Sequence, residues 1–221
     1  MKAHFLLPVL VMGMLATQPV HALTFTATSA IADNKTNVDK FDLTGADLAS
    51  SSSDPSGSFA KSFASLAQGQ LKAYAKSQSG GSFPGQTANA GAQMVDTIKF
   101  GGAEAGTTAF LTLHFHGSIS GAPLTSGFGP SPSVQVNLDS AIGSLTNVEY
   151  GSIHRVLTNY YNGCVGPCGD TGVIVGDSVD EIYHIPFLLS GNPEDLYKFY
   201  VNLNARSEPN GTTAIADFLN P

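Results

Sequence analysis

The chain is predicted to be all-β, an antiparallel β-sandwich of jelly-roll-like type, and three observations lead there. Apolar and polar residues alternate with period two in several separate runs, the spacing that turns one face of a strand inward. Between those runs stand 24 glycines and 12 prolines, the residues that punctuate turns. Charged residues make up 12% of the chain, about half the ~25% usual share, too few for charge-laced helices. About nine short strands follow, in a single domain over residues 23–221. Hydrophobic content of 42% allows a sizeable core without disulfide scaffolding.

The elements are read in chain order. Residues 58–69 set Phe59, Phe63 and Leu66 at helical spacing, with Ser58 as N-cap and Gly69 as stop, so one short helix is expected. Over 71–77, Leu71, Ala73 and Ala75 alternate with Lys72, Tyr74 and Lys76, the pattern of a half-buried strand. A looser strand is read at 94–100. The strongest spans 107–119, with Leu111, Leu113 and Phe115 on one face. Further strands are expected at 134–138, 148–158 and 172–175. Over 183–189, Tyr183, Ile185, Phe187 and Leu189 share a face, but Pro186 lies among them and cannot donate to a ladder. That run should therefore be an edge strand or hold a bulge. Asn192-Pro193-Glu194-Asp195 resembles a helix start, yet clean alternation through 197–205 makes the next segment a strand and the tetrapeptide its turn.

Residues 1–22 read as a secretory signal peptide. Lys2 precedes an apolar run, and Val20-His21-Ala22 supplies a small-x-small site with cleavage after Ala22. The run is shorter than the ~20 residues that span a bilayer, and no later stretch is long enough, so no transmembrane segment is expected in the mature chain. Formal charge is −7, and −8 once Lys2 leaves with the leader. The basic residues are dispersed, which argues against nucleic acid as a partner.

Cys164 and Cys168 are the two cysteines. In an exported chain they are expected to form a disulfide that pins a loop tip, worth on the order of 2 kcal/mol. Their spacing is not Cys-x-x-Cys, and the loop brings no further zinc ligands.

Chemistry-bearing residues are few. His114 and His116, two apart on a strand, project from one face and can grip one metal ion, the basis of a metal-dependent β-fold enzyme. A cupin-type pattern would add a carboxylate shortly downstream, and residues 117–122 contain none; His154 or His184 could complete a triad. Asp170, Asp177, Asp180 and Glu181 could offer oxygens to calcium, though their spacing matches no calcium loop. Otherwise no cofactor is expected. Tyr160 and Tyr161, beside the cysteine loop, are the adjacent aromatic pair suited to a glycan platform in a chain without Trp. Nucleophile elbow, phosphate loop and His-Glu-x-x-His are missing, so the chain is expected not to be an enzyme.

Residues 197–205, a Gly-containing turn, and then Ala214-Ile215-Ala216-Asp217-Phe218-Leu219-Asn220 resemble segments of exported PEP-CTERM proteins of Gram-negative bacteria. Gly69-Gln70-Leu71-Lys72-Ala73-Tyr74-Ala75 and the stretch from Leu111 to Ser118 are similar too. The resemblance implies an extracytoplasmic β-rich ectodomain, in a biofilm or exopolysaccharide matrix, and assigns no catalytic residues. Family members end in a Pro-Glu-Pro tripeptide, an apolar helix and a basic tail. This sequence stops at Pro221 without them, so it is expected to be a freely secreted relative or a reading frame that ends early. The expected role is structural or adhesive at the cell exterior, with exopolysaccharide or other matrix components as partners.

Overall fold

A computed structural model of the chain describes residues 24–32, 37–55, 57–78, 87–121, 134–144, 150–158, 173–175, 177–208 and 213–218. The signal peptide, Tyr160, Tyr161, Cys164, Cys168 and Asp170 lie outside them. In chain order the strands are β1 Phe25–Ala32, β2 Val38–Asp42, β3 Leu48–Ser53, β4 Phe59–Ser65, β5 Gln70–Ser77, β6 Ala88–Lys99 and β7 Thr108–Ser120. They continue with β8 Val134–Ser144, β9 Tyr150–Thr158, β10 Val173–Val175, β11 Ser178–Leu188, β12 Leu196–Ser207 and β13 Ala214–Phe218.

These strands form two sheets that enclose one core, the β-sandwich read from the sequence. The seven-stranded sheet runs β10-β9-β8-β12-β6-β1-β2 and the six-stranded sheet β11-β7-β13-β5-β4-β3. Twelve strands pair antiparallel, six in each sheet, and three-residue β10 joins β9 in parallel.

The expected count of about nine falls short because the additional strands have unassuming inward faces. β1 turns Thr26, Thr28, Ala30 and Ala32 inward, β3 turns Ser50 and Ser52, and the first half of β6 turns Ala88, Ala90 and Ala92. Alanine and serine give a weak alternation signal and little β-propensity, and threonine, though a strand former, is set here among equally small neighbours. Their hydroxyls are satisfied across the sandwich: Thr28 Oγ1 and Ser50 Oγ lie 2.7 Å apart, and Ser62 Oγ donates to the Ser29 carbonyl at 2.8 Å.

The short helix expected over 58–69 is corrected: those residues make β4 and the turn into β5, closed by Gly69 N–H donating to the Leu66 carbonyl. A separation of four, as between Phe59 and Phe63, puts residues on one face of a strand as well as of a helix. Ala60, Ser62 and Ala64 alternate with them and are fully buried, so period two prevails.

At the other end the core is bulky. Leu111, Leu113 and Phe115 of β7 meet Val136, Leu138 and Ile142 of β8 and the inward face of β12 in one hydrophobic cluster. Phe100, Phe187 and Tyr197 close it, with ring centroids 5.3–5.8 Å apart. Three readings hold here. β11 is an edge strand, one of the two alternatives that Pro186 allows; β12 alternates as expected; and the Asn192–Asp195 segment turns the chain, with Asp195 N–H donating to the Asn192 carbonyl.

Candidate metal centre

Strand β11 pairs along its whole length with residues 108–118 of β7, with His116 directly opposite Asp180 and His114 opposite Ile182. Because Leu113 and Phe115 go inward, the pleat sends His114 and His116 out onto the solvent face of this ladder. Asp180 emerges on the same face between them. His114 Nε2 lies 2.5 Å and His116 Nδ1 3.3 Å from the same oxygen, Asp180 Oδ1. The two imidazoles stand 5.8 Å apart, tilted by 58°.

Hydrogen bonding from His114 first, and from His116 second, holds the Asp180 carboxyl below its ordinary value of 3.8. The group is therefore an ionised acceptor at neutral pH, and the ring nitrogens facing it are the donors. Those same nitrogens are the ones a metal would take once their protons leave. One ligand atom from each residue lies within 4.8 Å of the others, the one such group of three among the described residues. Ligands of a tetrahedral zinc site stand about 3.3 Å apart, given bonds of ~2.0–2.1 Å. The His116–Asp180 edge already has that length; the His114–Asp180 edge must widen by less than an ångström.

Other residues singled out in the sequence do not join. His184, opposite Thr112, shares a 3.0 Å contact with its hydroxyl. His154 lies in the other sheet, bonded to Asp139. Asp180 leaves the expected calcium group: Glu181 points to the opposite face, where it accepts from the Tyr183 hydroxyl, and Asp177 is not among the residues whose ligand atoms converge with Asp180. Asp180 is named in the sequence only as a calcium candidate, and its union with the two histidines escapes sequence reasoning because it arrives across a ladder, not along the strand. Its one signal is Pro186, which marks β11 as an edge strand free to pair β7.

A shallow cleft of about 300 Å³ adjoins the centre, lined by His116, Ser118, Ser178, Asp180 and Asp217. Comparison of the chain with protein-family models, with curated proteins and with solved structures found no match.

Proposed function

We propose that this is a non-catalytic, exported β-sandwich, structural or adhesive at the cell exterior, that holds a divalent transition-metal ion on its outer face. The observation that carries the metal reading is the convergence of His114 Nε2 and His116 Nδ1 on one oxygen of Asp180. Two imidazoles and one carboxylate suit zinc or a neighbouring first-row metal, whereas calcium prefers six or more oxygens.

Three protein ligands leave coordination positions open to solvent, since the Asp180 side chain is 68% exposed and both histidines 30%. An ion so placed can accept a carboxylate from a matrix polymer or a neighbouring protein. Exposed Ile182 and Phe110 flank it on the same ladder and add apolar contact area. The same donor set also serves non-haem iron enzymes, the second reading. Wide exposure favours attachment, because catalysis gains from a water-excluded site.

The test is calorimetric titration of the purified protein with zinc, calcium and magnesium chlorides. One zinc per chain, no calcium or magnesium, and more than tenfold weaker zinc binding in His114→Ala and Asp180→Asn are expected. Wild-type zinc affinity in both variants, with native circular dichroism, would sink the proposal. Turnover by the iron-loaded protein, dependent on His114, would favour the enzyme.

A further inference from the structure

The outward face of the seven-stranded sheet carries a second, unrelated feature. Cross-strand register lines up Phe41, Ala27, Gln93 and Asn202 in one row across β2, β1, β6 and β12. The adjacent row is Asp39, Ser29, Gly91 and Asn204. Small residues in the middle of both rows leave a floor of Ala27, Ser29 and Gly91. Taller side chains rise at the ends: Phe41 on one side, Asn202 and Asn204 on the other, with Gln93 between. The result is a groove of about 360 Å³ that runs across the strands. Three strand spacings make it about 14 Å long.

The depth depends on Gly91, where a Cβ would meet Ser29 Oγ at 2.6 Å. The chemistry comes from the amides. Gln93, Asn202 and Asn204 are half-buried, and among the described residues none of these three side chains has a hydrogen-bond partner. Each amide carries two donors and an acceptor with two lone pairs. Amides carried on a sheet and left open to solvent at the mouth of a groove are groups that a polar ligand can pair with. Phe41, 58% exposed, is backed by Phe25 with ring centroids 5.0 Å apart and offers a fixed apolar face.

We propose that this groove binds a neutral oligosaccharide, a segment of a matrix polysaccharide. Sugar hydroxyls both donate and accept, as the three amides do, and the C–H face of a pyranose ring stacks on an aromatic side chain. Asp39, the acid on the rim, is already engaged by Asn37 Nδ2 at 2.8 Å, and Lys40 Nζ reaches away to the Ala49 carbonyl. Asp39 and Lys40, the charged residues of the lining, are opposite in sign, so the groove offers a charged ligand no net counter-charge. An extended peptide would seek unpaired backbone, but β1, β6 and β12 are each paired on both sides and the groove crosses them.

The site is independent of the histidine centre, which lies on the other sheet, so the test is run in EDTA. The full chain is titrated by calorimetry and NMR with the hexaoses of cellulose, xylan, starch and laminarin and with an unstructured control peptide. Saturable binding of at least one hexaose is expected, weakened at least tenfold in Asn202→Ala, Asn204→Ala and Phe41→Ala while His114→Ala binds as wild type. Failure of every hexaose to bind, binding unchanged in all three groove variants, or preference for the peptide would each overturn the proposal. Circular dichroism and urea midpoints check that the variants fold.

Discussion

Gly117 sits between His116 and Ser118 on β7, and its missing side chain would point into the core. A Cβ built there meets the Phe218 ring at 2.3, 2.5 and 2.6 Å, whereas carbon atoms in contact stand about 3.5–4.0 Å apart. Gly117→Ala therefore requires the ring or the strand to move by about 1 Å. Phe218 is fully buried and stacked on Phe115, with centroids 5.4 Å apart and an interplanar angle of 28°, so the ring has no space to enter. Overpacking of this kind costs about 1–3 kcal/mol, and the depth of the overlap puts this case near 3. For a chain of this size such a loss lowers Tm by roughly 6–12 °C.

The cause can be isolated with Phe218→Ala, itself costing about 3–5 kcal/mol. In that background the added methyl enters the cavity, and Gly117→Ala should cost less than about 0.5 kcal/mol. The cycle then yields a coupling of about 2–3 kcal/mol, within the range for touching residues. Urea unfolding at constant m measures all four proteins. A Gly117→Ala loss below about 0.5 kcal/mol in the wild type, or strict additivity, would refute the packing argument. Zinc titration of Gly117→Ala should also show weaker binding, because the displaced strand carries His116.

Other expectations can be checked alongside. Zinc affinity should fall as the solution is made more acidic, because protons compete with the metal for the two ring nitrogens; a pH-independent affinity would exclude them as ligands. The lowered pKa of Asp180 means its contribution to stability is present above 3.8 and is lost as pH falls through the depressed value. Wild type and Asp180→Asn should accordingly differ less in acid melts than at neutral pH. Tyr183 is pushed up to about 12, by burial first and then by its bond to Glu181, so ultraviolet titration should find a tyrosine ionising there and Glu181→Gln should bring it down. The stability tied to that shift is full below pH 10 and is lost as pH rises towards 12. Ser144→Ala removes the buried 2.8 Å bond that Ser144 Oγ donates to Asp195 Oδ2 and should cost about 1.5–3 kcal/mol in urea unfolding.

Alternation is a local property, so strands whose two faces differ strongly are legible in the residues alone. β5, β7, β11 and β12 each set bulky apolar residues against polar ones, and all four stand out as strands in the sequence. β1, β3 and β4 do not, because alanine, serine and threonine facing inward differ little from the same residues facing out. The metal centre is half legible for a related reason. His114 and His116 share a face by simple pleating, but the partner across a ladder is not encoded in spacing.

The sequence by itself determined that this chain makes strands, that His114 and His116 face the same way, and that the segment containing Pro186 belongs at a sheet edge or holds a bulge. Only the tertiary structure decided which strand lies beside which. The choice rests on how well whole faces bury against one another, a property of the complete chain, and register follows from it. That register sets Asp180 opposite His116, 64 positions away, and lines Gly91 up beside Ser29 and Asn204 to hollow the groove on the other face.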